Sequence, residues 1–488
     1  MGNTGIVFAR DGSAPFLNPA TLVWIQDTRV AFSVNFYSLS FHSLDDFHDP
    51  RGTARRTFGG DSSATYVQPR VDAIPSTFCL FFTLKDIERK KVRPLDAIEE
   101  VPQRVPQKLA TCFGTTERRL LSATAREFVA GTGANRTTRT ATFSDRYDRV
   151  HIGPSYSAIL GERLSVGASL HLVRSDPAYS FNAHTVAGPT GFQSSYAVST
   201  AAESYDLALL AGATYVLDRF TTLGLAVQPP TLHIGGTARA TQHSLIAEGE
   251  GNRSEILVGR GDFTAPLPFR VGMGLGVAMP RVRIELNTTV FLPQRTAFAS
   301  TYTATRQSAQ NGRGSSDDLE ARVVERSNTV VDSSVGAEYQ ATKSISVLGG
   351  FATAFDASPP LNQASFGQIR TSRDNRALLT LGLGSYAGGS ELFLGMQLSH
   401  SWGQALAIDS YRDPNDAIFV RAESYAATLI IAGSTSTQAL RRTVEELRKP
   451  KPAPNAPPGV VREPGPPKQE TIPPVTPPPE TPTKPLPK

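Results

Sequence analysis

The sequence predicts an all-β fold: a 14-stranded antiparallel transmembrane β-barrel with an N-terminal hatch or plug and a disordered, Pro-rich C-terminal tail. Three observations carry that expectation. Segments of apolar and polar alternation recur from Val30 to Gly433. The connections between them alternate very short turns with long polar stretches. No uninterrupted apolar run of about 18 residues is present from which a spanning helix could be built.

The first element is DGSAPFLNPATLVWI, residues 11–25. Pro15 and Pro19 break it too often for a signal peptide or a membrane helix, and with Gly12 they mark it as turns. It reads as a compact element placed ahead of a sheet, within residues 1–28. From 29 to 434 the period-two pattern of half-buried strands takes over. In RLSVGASLHLV, Leu164, Val166, Ala168, Leu170 and Leu172 share one face, and Ser165, Gly167, Ser169 and His171 the other. In RVRIELNTTVFL the apolar Val282, Ile284, Leu286, Val290 and Leu292 are interleaved with Arg283, Glu285 and Asn287. In FRVGMGLGVAM the interleaved positions are Arg270, Gly272, Gly274 and Gly276.

A soluble sandwich turns its apolar face inward. A membrane barrel turns it to lipid and keeps small and polar residues in the lumen. Alternation does not choose between them, but the connections do. Tight turns near Gly161, Asp218, Pro280, Lys343 and Gly388 alternate with long polar connections at 175–204, 237–266, 293–328 and 358–376. Sorting of short and long connections onto opposite rims belongs to outer-membrane barrels, with the short turns in the periplasm. Strands are expected to start near Val30, Asp72, Lys108, His151, Arg163, Ser204, Thr221, Phe269, Arg281, Val330, Ile345, Ala377, Glu391 and Ile418. The even number puts both barrel ends on one side. The charged segment 85–108 breaks the pattern, being long where a short turn is due.

After the barrel, TQALRRTVEELR within 435–448 is expected to form a short amphipathic helix. Sixteen of the last 39 residues are proline, so 449–488 is expected to be extended or disordered and periplasmic. Its lysines suggest a tether to peptidoglycan or to a periplasmic protein.

Composition narrows the function. A formal charge of +5 over 488 residues, with scattered Lys and Arg, argues against nucleic acid. Cys79 and Cys112 are too few for a disulfide scaffold and have no metal-type spacing. They flank the charged segment 85–108 almost symmetrically and could lie near one another across a hairpin, but directly paired strands rarely allow good disulfide geometry, so two free thiols are expected. GTGANR, residues 131–136, lacks the strand-to-helix context of a phosphate loop. His42-Ser43 and His400-Ser401 are adjacent in sequence and make no catalytic dyad. No catalytic residue, metal or cofactor is expected, and the chain reads as a non-enzyme.

The opening DGSAPFLNPATL, with Asn-Pro-Ala just ahead of the first strand, resembles the FadL/TodX family of outer-membrane transporters for long-chain fatty acids and other hydrophobic compounds. YSAILGERLSVGASL, PFRVGMGLGVAM and GAEYQATKSISVLGGFATAFDASP extend that resemblance over roughly residues 5–433. It implies that Asp11, Gly12, Ser13, Asn18, Pro19 and Ala20 belong to a hatch folded into the barrel. It implies a hydrophobic small-molecule ligand that moves passively from the extracellular loops to the lumen, leaving past the hatch or sideways near the third strand. It also implies outer-membrane lipids around the barrel, insertion by the barrel-assembly machinery, and a natural start upstream of Met1 with a signal peptide. The competing reading is a structural or surface-display barrel with a periplasmic tether and no transport role. Arg270, Arg283, Glu285 and Glu338 are expected in the lumen, either anchoring a ligand carboxylate or pairing with one another. Arg421 and Glu423 are further candidates of ambiguous face.

Overall fold

The structure, a computed structural model, describes residues 4–25, 27–47, 63–71, 76–85, 107–123, 128–130, 136–188, 191–248, 251–359, 367, 372–387, 389–408 and 417–448. Most of the charged segment 85–108, of GTGANR and of the 358–376 connection, the strand start at Asp72, and the tail 449–488 lie outside the described residues.

Strand dominates the described chain. The first half contains β1 (Arg29–Leu44), β2 (Ala64–Val71), β3 (Thr77–Lys85), β4 (Gln107–Ala123), β5 (Phe128–Ala130), β6 (Thr137–Leu160), β7 (Leu164–Ala187), β8 (Phe192–Val216), β9 (Thr221–Gln228) and β10 (Leu232–Glu248). The second contains β11 (Gly251–Thr264), β12 (Arg270–Ala278), β13 (Val282–Phe291), β14 (Gln294–Gln310), β15 (Arg313–Ser327), β16 (Val330–Gln340), β17 (Ile345–Ala354), β18 (Ser372–Ala387), β19 (Ser390–Ile408) and β20 (Ala417–Ser436). These segments join into fourteen antiparallel barrel strands, because β2 with β3, β4 with β5, β9 with β10, β11 with β12, β13 with β14 and β15 with β16 are each one interrupted strand. The ring closes where β1 pairs with β20, from Arg29↔Ser436 to Leu44↔Ala422. A helix, Thr437–Arg448, follows the last strand.

The ambiguous alternation resolves outward. On β18 and β19 the apolar residues face out and stay exposed, with Leu381 at 52%, Leu383 at 55% and Leu392 at 53%. The interleaved polar residues point into the lumen, where Glu285 and Asp206 are both 0% exposed. Apolar outside and polar inside is the arrangement that lipid imposes. The belt has edges. At one, His400 stacks on Tyr425 with ring centroids 4.5 Å apart, beside Trp402. At the other, Tyr215, Phe220 and Tyr339 are exposed near the short turns. From Leu392 to Trp402 along a tilted strand is about 25 Å, the height of an outer-membrane apolar band.

The short-turn rim is built by local chemistry. Asp218 accepts from Phe220 N at 2.8 Å and Thr221 N at 2.9 Å, and these bonds hold its carboxyl below the usual carboxylate range. Thr342 plays the same part with its hydroxyl for Ser344 N and Ile345 N.

Two expectations are overturned. Three of the long polar connections are strand, not loop. β7 and β8 remain paired to Ala187↔Phe192, β10 and β11 to Glu248↔Gly251, and β14 and β15 to Gln310↔Arg313. Beyond the lipid the outer face meets water, so outward positions such as Asn182 and His184 are polar while inward Phe181 and Ala183 stay buried, and the lipid-facing apolar pattern ends while the ladder continues. Pro229, Pro230, Pro266, Pro268 and Pro293 sit where three of these strands break; lacking an N–H, they interrupt the ladder without ending the strand. The second correction concerns the cysteines. Cys79 and Cys112, expected as free thiols, form a disulfide. They are directly opposite in the β3–β4 ladder with Cα atoms 4.3 Å apart, the narrow type of antiparallel pair, which brings the two side chains together on one face.

Candidate functional site: the lumen and its N-terminal segment

Residues 4–25 run inside the barrel without joining its sheet, so their backbone groups must find other partners. Asp11 begins the local solution. Its side chain accepts from Ser13 N at 2.9 Å and Ser13 Oγ at 2.6 Å, and its carbonyl accepts from Ala14 N at 3.2 Å. A single helical turn follows, α1 (Ala14–Leu17), with Pro15 where no N–H is required. Asn18 ends it and caps the 3-10 turn Pro19–Trp24. Asn18 is fully buried and uses its whole amide: Oδ1 accepts from Ala20 N at 3.1 Å, and Nδ2 donates to Ile6 O at 2.7 Å and to Ala213 O of β8 at 3.2 Å. Thus Asn18 fastens the segment to itself and to the wall.

Inward-facing barrel side chains supply the remaining bonds. Ser169 Oγ donates to Pro15 O at 2.8 Å, and Arg270 Nη2 to Phe16 O at 3.1 Å. Glu285 accepts from Gly5 N and Val7 N, both at 2.9 Å, and from Phe8 N at 3.2 Å. Such close approach of two backbones needs room, and glycine provides it. A Cβ on Gly212 would overlap Asn18 Oδ1; on Gly224 it would lie 2.6 Å from Ile6 O; on Gly276 it would lie 2.6 Å from Phe8 and Val7 side-chain atoms. Gly167 faces Pro19 and Ala20 in the same way. The small-residue face read from FRVGMGLGVAM is therefore the seat of the N-terminal segment.

Across the lumen the contact is apolar. Ala9, Ala14, Phe16, Leu22 and Ile25 pack with Ala31, Phe81, Ala110 and the Cys79–Cys112 pair. This wall is also interrupted. The β3–β4 ladder stops at Thr77↔Gly114, and among the described residues β2 pairs with β1 alone. Phe16 reaches back from the segment to two histidines. It stacks on His171 at 5.0 Å between centroids and meets His151 edge-on at 6.1 Å.

At the short-turn rim the other expected lumen residues pair with each other. Arg283 donates to Glu338 at 3.3 Å, and Tyr386 also donates to Glu338. Arg29 meets Glu391 at 2.9 Å and Ser434 Oγ at 3.0 Å. Arg10 of the N-terminal segment lies over this group; burial first, then the charge of Arg283, lowers it to about 10, so it stays cationic at neutral pH. Arg421 and Glu423 pair on the exposed side of β20 and do not join the lumen group.

Two arrangements were not anticipated from sequence. At the long-strand end an inner aromatic patch gathers Leu44, Phe47, Phe143, Tyr179, Phe181 and Tyr196, with Phe47 5.5 Å from Phe143 and 6.1 Å from Phe181. Deeper in the lumen, His233 Nδ1 lies 3.1 Å from Asp206 Oδ1, and Ser204 Oγ donates to Asp206 Oδ2 at 2.9 Å. Ser204 also lies 3.4 Å from the same Nδ1. A proton relay uses the two imidazole nitrogens for different partners; here serine and aspartate share one. Ser204 and Asp206 sit two apart on one strand face, which sequence alone could have flagged, whereas His233 arrives from a neighbouring strand.

No protein-family model matches the chain, and no curated protein matches it by sequence. Among solved structures it is similar to the toluene transporter TodX of P. putida, with 13% identity, a TM-score of 0.51, and coverage of 89% of this chain and 96% of that one. It is also similar to a Pseudomonas aeruginosa FadL homologue, at 13% identity and TM-score 0.46 over 88% of this chain and 95% of that one. The Ralstonia pickettii toluene transporter TbuX aligns at 13% identity and TM-score 0.45, over 89% and 96%. The chain has the FadL/TodX barrel fold. At this identity the TodX likeness establishes the fold alone.

Proposed function

We propose that the protein is a passive outer-membrane channel for hydrophobic small molecules such as long-chain fatty acids, and not an enzyme. The observation that carries the reading is the contrast along the lumen: an aromatic inner patch at one end and a hydrogen-bonded N-terminal segment at the other. A water-filled porin has no use for a cluster of Phe and Tyr rings withdrawn from water, whereas an apolar ligand that parts those rings keeps them in apolar contact. In this reading residues 4–25 are the hatch, with Asp11, Gly12, Ser13, Asn18, Pro19 and Ala20 as its turn framework. The ligand passes from the aromatic patch toward Phe16. It leaves past the hatch or through the interrupted wall between β2 and β4, whose lower limit is Thr77↔Gly114. The long-strand rim then faces outward from the cell and the short turns face the periplasm, where the tail 449–488 would reach peptidoglycan or a periplasmic protein. The likeness to TodX supports this reading, since TodX is described as a toluene transporter.

The test is equilibrium binding of a fluorescent long-chain fatty acid to the refolded, detergent-purified barrel, with unlabelled fatty acid and toluene as competitors and a detergent titration alongside. Saturable, competable binding that weakens in Phe181→Ala is expected. A folded barrel with no competable binding would overturn the proposal in favour of a structural barrel.

A further inference from the structure

We propose that Glu285 is the latch that holds the N-terminal segment in its seat, its carboxylate filling an anion-binding cradle made by the backbone amides of Gly5, Val7 and Phe8. Three N–H groups from one short stretch converge on the two oxygens of one side chain, at 2.9, 2.9 and 3.2 Å. Converging backbone amides form a concavity of positive potential that suits an anion, and bonds to a charged acceptor are stronger than neutral ones. The carboxylate is 0% exposed, so water does not compete for it. Its position is specific. Asn287, the next inward residue on β13, is 4% exposed, and both its amide atoms are without a hydrogen-bond partner among the described residues. Polarity at this height of the wall therefore does not by itself recruit the segment; the negative charge two residues away does. The absent side chains of Gly274 and Gly276 leave the space in which Ile6, Val7 and Phe8 lie close enough to reach it.

Glu285 acts through the segment and touches no ligand in this scheme, so it is a positioning residue. The inference extends the transport reading by naming what keeps the passage shut. Its test uses no hydrophobic ligand, so the latch and the transport reading can fail independently.

The experiment places a reporter thiol at Val7→Cys in the full-length refolded barrel and follows its labelling by a membrane-impermeant maleimide. The native cysteines are disulfide-bonded and stay silent. With Glu285 intact, labelling should be slow. Adding Glu285→Ala should speed it by about tenfold or more, the loss expected for charge-assisted bonds, with Glu285→Gln in between. Added acetate should restore slow labelling in Glu285→Ala by refilling the cradle, whereas chloride at the same ionic strength should not. A merely space-filling role would not respond to acetate. Labelling within twofold of the Glu285 protein in both variants, or acceleration that acetate does not reverse, would overturn the proposal. Heat-modifiable migration on gels confirms that each barrel is folded; if Glu285→Ala fails to fold, Glu285→Gln alone decides, a rate within twofold of the Glu285 protein overturning the latch.

Discussion

Two walls of the barrel hold the same N-terminal segment by different physics. The wall of β7, β8, β9, β12 and β13 holds it with directional bonds at backbone distance, made possible by glycines and completed by Asn18, Ser169, Arg270 and Glu285. The wall of β3 and β4 holds it with apolar contacts around a disulfide and is itself interrupted above Gly114. Hydrogen bonds fix a register and break all at once. Apolar contacts tolerate sliding, because burial has no preferred direction. The segment should therefore detach from the glycine wall as a unit while keeping contact with the disulfide wall. That asymmetry also places the mobile side of the segment away from the interrupted wall.

The largest effect should come from filling the glycine seat. Gly212→Val puts side-chain atoms where Asn18 Oδ1 now lies, and neither backbone can retreat. Labelling at Val7→Cys should rise by about a hundredfold with the barrel still folded, since the lost buried bonds have no substitute. The matched control is Gly349→Val on β17, where a Cβ meets only ordinary contacts at 3.7 Å or more. Equal labelling in the two variants would remove the glycine wall from the comparison.

How much of this was legible follows the same division. The membrane halves of the strands announced themselves, because lipid on one side and a lumen on the other force alternation. Starts near Arg163, Thr221, Val330 and Ile345 agree with the observed strands to within a residue. The water-exposed halves did not, since their outer face meets water and no longer carries the apolar residues that lipid demands. One signal was available and unused: Asn311-Gly312 takes positive φ at both residues, 49° and 81°, the two-residue hairpin turn that Asn-Gly favours. Gly272, Gly274 and Gly276 were visible as a small-residue face, but their partner lies more than 260 residues earlier in the chain. The disulfide was hidden for a related reason. Its cysteines are 33 residues apart with a long charged segment between, so the register that opposes them is not written locally.

On the other wall, Cys79→Ser with Cys112→Ser should lower the urea midpoint of the refolded barrel by the equivalent of about 3–4 kcal/mol, the entropy cost of a closed loop of that size. Val7 labelling should change less than in Gly212→Val. If instead the double variant freed the segment as fully, the apolar wall would be the principal seat and the comparison would invert.

Asn18→Ala sharpens the glycine side without adding bulk. It strands Ala20 N and Ile6 O inside the lumen and removes the tie to Ala213 O of β8. About 2–3 kcal/mol of seating free energy should be lost, from the usual net value of a buried bond and the cost of leaving partners unmade. Labelling at Val7→Cys would read this as a rise of tens of fold. Asn18→Asp should be no milder, because it replaces the amide donor to Ile6 O and Ala213 O with an acceptor. A small effect in both would mean that Glu285 and Ser169 carry the seat unaided.

The smallest effect should come from the rim. Arg283→Met removes the 3.3 Å pair to Glu338, but Glu338 keeps the Tyr386 hydroxyl. The Arg283 side chain is 25% exposed and that of Glu338 10%, so it is the Tyr386 donor, not solvent, that keeps the carboxylate from being left without a partner. Pairs of this kind contribute about 1 kcal/mol or less. Removing the Arg283 charge also relieves its repulsion of Arg10, which offsets part of the loss. A fall in the urea midpoint worth less than about 1 kcal/mol, with Val7 labelling unchanged, is therefore expected. A larger fall accompanied by faster labelling would show that the rim group grips Arg10 firmly, and that the segment is held at three places instead of two.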